Sequence, residues 1–276
     1  MISRDHKYVM GIVNLTDDSF YPGSRYGSSP DTVLKVVERM VAEGADIIDL
    51  GPWSSHPGNQ SIGPEEEWKR LEPVLGPIRK EFPELPISVD TCYSSVIEHA
   101  ADTAGSVIAN DISAGEADPG MLPAVGRLGL TYIAMHMRGN PATMQSMTNY
   151  GGDVTSAVLS YFMDFSLRAR EAGIEDWILD PGFGFAKTVE QNYDLLSSLD
   201  KFLVLDRPIL VGLSRKSMIY KMLGLTPEEC LPATQVLNFA ALQKGANILR
   251  VHDVAEAVNT VKLYGMLKER QVSPLL

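Results

Sequence analysis

Cysteine is nearly missing from this chain: only Cys92 and Cys230 occur, far apart in the sequence. Two isolated cysteines make neither a disulfide framework nor the clustered Cys/His spacing of a zinc site. Their scarcity fits a reducing compartment. Long apolar runs are missing too, since none approaches the roughly 20 residues that cross a bilayer. Met1 to Tyr8 is polar and mixed in charge, unlike a secretory signal. Nor is there an excess of basic residues. The chain carries 24 Lys and Arg against 35 Asp and Glu, a formal charge of −11. That balance argues against nonspecific binding to nucleic acid and against attraction to an anionic membrane. The expectation is a soluble, cytoplasmic protein acting on small molecules. An anionic substrate stays compatible, because Lys, Arg and His gathered in a cleft can outweigh the global field.

Several catalytic signatures are also absent. There is no Gly-rich phosphate loop of the P-loop or dinucleotide-binding type. The string GLSRK at 212–216 is not a nucleophile elbow. A site in this chain is expected to bind and polarise its substrates without forming a covalent intermediate.

What is present is a regular alternation. Short apolar, β-rich runs occur at Tyr8–Val13, Asp46–Leu50, Pro86–Val89, Ser106–Ala109, Thr131–Met135, Trp177–Leu179, Pro208–Val211 and Asn247–Val251. Between them lie stretches with helical spacing, among them Asp31–Ala42, Ser94–Thr103, Thr155–Ala172 and Ala233–Lys244. Gly44, Gly105, Gly173 and Gly245 stand where helix ends are expected. Strand and helix in alternation predict a parallel sheet with helical crossovers. Eight units in 276 residues favour a closed (β/α)₈ barrel, which typically takes about 250 residues, over an open doubly wound sheet. No linker, low-complexity segment or charge run divides the chain, so one domain over 1–276 is expected. Two long Gly/Pro/Ser-rich loops, Thr16–Pro30 and Gly51–Pro64, read as functional lids or as surface insertions.

Barrel active sites lie at the C-terminal ends of the strands. In this chain nearly every run ends in a polar side chain: Asn14, Asp49, Asp90, Asn110 with Asp111, His136, Asp180, Ser214-Arg215-Lys216, and Arg250 with His252. Each has a plainer reading alone. Asp90 could cap the following helix, Asn110, Asp111 and Asp180 could start turns, and His136 reads better as a satisfied core histidine than as a catalyst. Lys216 opposes the helix dipole at a helix start, which points to a negative partner. Arg250 and His252, two apart on a strand, point the same way, a grip suited to phosphate oxygens. Carboxylates suit the donor edge of a 2-amino-4-oxo heterocycle, while Asn and Lys suit its acceptors.

The strings themselves resemble one family throughout. GIVNLTDDSFYPGSRY, ADIIDLGPWSSHPG, ISVDT, IANDISAG, AMHMRGNPATMQ, ILDPGFGFAKT, ILVGLSRKSMI and ILRVHDV are similar, in order, to the blocks of the dihydropteroate synthase family of pterin-binding enzymes. The resemblance implies a barrel enzyme of folate biosynthesis, a homodimer. It implies transfer of a 6-methyl-7,8-dihydropterin group from its diphosphate ester to 4-aminobenzoate, with diphosphate released. By position it implies Asn14 as ligand of a Mg²⁺ ion. It implies Asp90, Asn110, Asp180, Gly212 and Lys216 around the pterin, with Met135 on its face. Arg250, His252 and Ser55 would hold the diphosphate, and Phe185 and Ser217 the aminobenzoate; Lys216, Asp90 and Arg250 would carry the catalytic load. The chain departs from the family at Asp17, Pro22, Pro52, Trp53 and His56, all in the two long loops. Two alternatives are a pterin-dependent methyltransferase domain, which would not need the Lys216 and Arg250/His252 grip, and a non-catalytic pterin-binding relative.

Overall fold

The computed structural model describes residues 2–15, 29–53 and 61–272. Eight strands, β1 (Tyr8–Asn14), β2 (Ile47–Gly51), β3 (Ile87–Asp90), β4 (Ile108–Asp111), β5 (Thr131–Met135), β6 (Trp177–Asp180), β7 (Leu210–Val211) and β8 (Ile248–Val251), form one all-parallel sheet. Sequential neighbours pair from β1 to β6, and β8 lies between β1 and β7. A single bridge between Leu179 and Ile209 joins β6 to β7, with the Leu179 N–H donating to the Pro208 carbonyl at 3.0 Å. The sheet is thereby a (β/α)₈ barrel. Expected and observed strands differ by one or two residues at their ends. β4 lies two residues later than expected at both ends, and in β7 Pro208 has no N–H for the ladder, so only Leu210 and Val211 remain regular.

The helices are α1 (Pro30–Glu43), α2 (Pro64–Glu81), α3 (Ser94–Ala104), α4 (Met121–Leu128), α5 (Val154–Glu171), α6 (Val189–Ser197), α7 (Ser217–Leu223), α8 (Leu231–Gln243) and α9 (Val254–Val272). Local chemistry sets their limits. In α1, Pro30 starts the helix, Val33, Val36, Val37 and Met40 form the buried stripe, and left-handed Gly44 ends it by donating to the Met40 and Val41 carbonyls. Asp153 caps α5 by accepting from the Ser156 N–H, and Thr188 with Gln191 makes a capping box on α6.

Strand alternation sorts the side chains. Outward residues such as Val9, Ile48, Val89, Tyr132 and Leu249 pack under the helices in the main core, alongside Phe162, Phe165 and Trp177. Inward residues at the lower end, Met10, Ile47, Ile108, Ile133, Ile178, Leu210 and Ile248, make an apolar floor, with Tyr8 and Ile2 packed against it. One step further along the same strands the inward positions turn polar, and there the site begins.

Candidate active site

Arg250, inward on β8, is the centre of the polar layer. Its Nε donates to Asp49 Oδ2 at 2.7 Å, and a terminal nitrogen donates to Asp90 Oδ2 at 2.7 Å. Asp49 is fully buried and also accepts from Asn110 Nδ2 at 3.2 Å. Burial alone would lower the Arg250 pKa, but the two carboxylates more than offset it and hold the cation firmly. Burial pushes the Asp90 pKa up, with Arg250 opposing and Asp49 adding to the rise. Asp90 is therefore not a helix cap; α3 begins after Tyr93, without a side-chain cap. Asp111 points outward, builds the turn by accepting from the Ser113 and Gly115 N–H groups, and takes the Tyr132 hydroxyl at 2.7 Å. Of the Asn110–Asp111 pair, only Asn110 faces the barrel.

On the opposite wall lies Asp180, buried and holding the Gly182 N–H at 2.8 Å. Burial raises its pKa, and Lys216 is the strongest charge acting against that rise. Lys216 precedes α7, donates to the Phe183 carbonyl, and holds its ammonium 4.7 Å from the centre of the Phe185 ring. Burial lowers its pKa to about 8. Gly212 faces the same space: a Cβ there would stand 3.9 Å from Arg250 Cβ and 4.0 Å from Lys216 Nζ. Met135 joins Ile112, Met137, Met144 and Ala186 in a small apolar cluster at the mouth, with Phe185, Trp53 and Cys92 packed on it. A cavity of about 400 Å³ opens there between Trp53, Ile112, Met137 and Glu67.

His252 bonds Ser214 Oγ through Nδ1 at 3.0 Å, and its pKa falls to about 3, first through burial and then through Arg215, Arg250 and Lys216. It is a neutral imidazole here. The Ser214 hydroxyl also accepts from the His252 backbone N–H at 3.4 Å, so one oxygen meets both the ring and the backbone of His252. At the end of β1, half-buried Asn14 lies above Gly51, where a Cβ would stand 3.2 Å from its Oδ1. Ser217 opens α7 and is half-buried. Ser55, His56, Asp17 and Pro22 lie outside the described residues.

Two groups carry more than the sequence conveyed. Asp49, inside the run IIDL, anchors Arg250; a carboxylate within a short apolar strand was the available signal. Lys187 is 4% exposed and binds carbonyls of the loop after β6, although in FAKT it reads as an ordinary lysine before a helix. His136 is a satisfied buried histidine, taking Lys187 Nζ at Nδ1 and packed edge-on to Tyr161. Backbone strain gathers at this end as well. Among the described residues, four non-glycines have positive φ, and Ala114, Ala186 and Arg215 of these lie in loops after β4, β6 and β7.

Fold and site define a parallel-barrel enzyme whose mouth holds carboxylate, amide, ammonium and guanidinium groups over an apolar floor. A family described as pterin binding enzyme matches residues 10–252. A dihydropteroate synthase of Escherichia coli K12 is 43% identical over 264 residues, covering 95% of this chain and 92% of that protein. One from Synechocystis is 41% identical over 93% of this chain and 88% of its own. A crystal structure of the Yersinia pestis dihydropteroate synthase with a sulfonamide drug complex superposes with a TM-score of 0.91 at 35% identity, over 98% and 96% of the two chains. The Xanthomonas albilineans dihydropteroate synthase with 4-aminobenzoic acid gives 0.87 at 35% identity, over 98% and 95%. The chain belongs to the dihydropteroate synthase family of pterin binding enzymes.

Proposed function

We propose that this barrel joins a dihydropterin to 4-aminobenzoate by the following division of labour. The carrying observation is the inward polar ring of Asp90, Asn110, Asp180, Lys216 and Arg250 above the apolar floor. Asp180 and Asp90 accept the N–H groups of the pterin, Asn110 and Lys216 complete its edge, and Met135 packs on its face. Arg250, His252 and Ser55 take the diphosphate. Arg250 lets go of Asp90 to do so, which frees that carboxylate for the ring as the ester arrives. Phe185 and Ser217 line the aminobenzoate position, and Gly212 keeps the space between Lys216 and Arg250 open.

In the reaction the bond between the pterin methylene carbon and the diphosphate oxygen breaks, and the electron pair leaves with the oxygen. The ring delocalises the resulting cation. The amine nitrogen attacks the methylene and releases a proton to solvent. Electrostatic stabilisation of both developing charges is the main contribution the side chains make. Among the described residues no group of three His, Cys, Asp or Glu is placed to hold a metal. Asn14 offers a single hard oxygen at the mouth, which fits a Mg²⁺ ion bound mostly by phosphate oxygens and water. When bound, such an ion neutralises charge on the leaving diphosphate. No described helix is long and apolar enough to cross a membrane, and both cysteines are free thiols; both facts suit a cytoplasmic setting.

The test is formation of dihydropteroate from the pterin diphosphate, 4-aminobenzoate and Mg²⁺. Asp180→Asn and Lys216→Ala should each lower kcat/KM by roughly 10- to 150-fold, the equivalent of about 1.5–3 kcal/mol for a charge-assisted bond. Near-normal activity in a folded variant would remove that residue from the site. We also propose a homodimer formed through the barrel helices, supported by exposed Met222 and Leu223 on α7, Val236 on α8, and Leu263, Met266 and Leu267 on α9. Sedimentation equilibrium returning a monomer mass would refute it.

A further inference from the structure

Lys187 makes no ion pair among the described residues and is 4% exposed, yet its ammonium is fully hydrogen-bonded. Its three ammonium hydrogens go to the Gly182 carbonyl at 2.9 Å, the Phe185 carbonyl at 3.0 Å and His136 Nδ1 at 3.1 Å. The two carbonyls belong to the loop after β6, and His136 follows β5. This loop has little freedom elsewhere: Tyr150 donates to the Ala186 carbonyl at 3.0 Å and the Gly184 N–H donates to Asn192 Oδ1 at 2.7 Å. Gly182 has a φ of 71°, and a Cβ on it would lie 2.0 Å from the His136 carbonyl oxygen, so the loop is pressed against the end of β5. The residues that Lys187 grips carry groups that face the substrates. The Gly182 N–H is held by Asp180, and the Phe185 ring covers Lys216.

Burying an ammonium without a paired carboxylate is unfavourable, and a space-filling role would be met by a methionine. The charge has a second recipient in Asp180. Burial raises the Asp180 pKa, and Lys216 before α7, the Gly182 N–H, Arg250 on β8 and, most weakly, Lys187 act against that rise. Around Lys187 stand Asp180, Lys216 and Arg138 with the neutral His136, and burial foremost lowers its pKa to about 7.

We infer that Lys187 is a positioning residue of the pterin site, fixing the loop after β6 by its hydrogen bonds and with it the Gly182 N–H that Asp180 accepts. The inference rests on Asp180 being an acceptor for the pterin, as proposed above. The experiment measures binding of the dihydropterin diphosphate by calorimetry from pH 5.5 to 8.5, together with steady-state KM and kcat, in wild type, Lys187→Met, Lys187→Gln and Asp180→Asn. In Lys187→Met the affinity at pH 7 should fall at least tenfold, KM should rise in parallel, and kcat should change by less than threefold. Its acidic limb should move to higher pH, because loss of a cation raises the Asp180 pKa further and protonation then begins sooner. Lys187→Gln keeps two N–H donors without the charge, so it should recover part of the affinity while keeping the displaced limb; it carries the test if the Met variant does not fold. Wild-type affinity and an unmoved limb in a folded variant, even with a lower Tm, would overturn the inference and leave Lys187 as a prop of the fold. Wild-type binding by Asp180→Asn would instead overturn the underlying reading of the pterin site.

Discussion

At the scale of single residues, this site is governed by how deeply each charge is buried. Burial lowers the Lys216 pKa to about 8, with Asp180 pulling it up and Arg250 pushing it down. The cation is therefore present below about 8 and is lost as pH rises through that value. Dihydropterin diphosphate binding should weaken across roughly pH 7.5 to 9, a decline that ligand contact with the ammonium shifts upward. Lys216→Met should bind less tightly at pH 7 and should lose the part of this decline that Lys216 contributes, leaving the part that comes from Lys187, whose pKa lies at about 7. Calorimetry over that range checks it; an equal decline in the variant would assign the titration to another group. Arg250 behaves oppositely. Two carboxylates hold its proton, so it stays charged throughout.

At the scale of elements, α2 shows how a helix reaches the mouth of the site, where Glu67 lines the cavity. Glu67 on α2 is 2% exposed and accepts the Thr91 hydroxyl at 2.5 Å, next to Asp90. Burial raises its pKa from 4.5 to about 7, against the pull of Thr91 and Arg70. The folded state thus prefers the protonated acid. That preference costs nothing below pH 4.5, and the stability it confers on the acid form is lost as pH rises through about 7, up to about 3 kcal/mol at roughly 1.4 kcal/mol per pH unit. Glu67→Gln keeps an acceptor for Thr91 and cannot ionise. Its Tm should overtake that of the wild type increasingly between pH 5 and 8, and parallel Tm curves would refute the assignment.

The same helix marks a boundary of what the sequence conveyed. The spacing at Asp31–Ala42 and Ser94–Thr103 leads directly to α1 and α3, because an amphipathic stripe and a terminal glycine agree there. Helix α2 is disguised by Pro73 and Pro77 in its interior, each lacking an N–H for the ladder, and it persists because Leu71, Val74, Leu75 and Ile78 are buried. Strand ends were legible through repetition: one polar residue closing an apolar run means little, but the same ending on run after run marks a shared polar layer. Partner choice was not legible. Nothing in ILRVHDV conveys that Arg250 turns sideways to Asp49 and Asp90, since those contacts join residues 201 and 160 positions apart.

At the scale of the molecule, the barrel divides into an end that holds and an end that acts. The floor of Met10, Ile47, Ile108, Ile133, Ile178, Leu210 and Ile248 is tied to the N-terminal segment, where Lys7 Nζ donates to the Ala246 carbonyl at 2.7 Å and Asn247 Nδ2 to the Arg4 carbonyl at 2.7 Å. Ile133→Ala should therefore cost about 2–5 kcal/mol of stability through the cavity it leaves, with KM for both substrates unchanged at temperatures where the variant is folded. Denaturant unfolding and steady-state kinetics on the same preparation check both halves. A large change in KM would show that the two ends are mechanically coupled.

The inward polar positions are separated by two residues along each strand: Asn14 from Ile12, Arg250 from Ile248, Asp90 from Ser88. A strand therefore behaves like a sentence with a fixed reading frame. Inserting or deleting one residue within β8 would turn Leu249 and Val251 into the barrel and carry Arg250 out among the helices, beyond the reach of Asp49 and Asp90. The loops have no such frame, because a residue added there displaces only the loop. Changes of length are thus tolerated in the connections and not within the strands. The frame inside the barrel preserves the contacts of Arg250 with Asp49 and Asp90, while the connections remain free to drift.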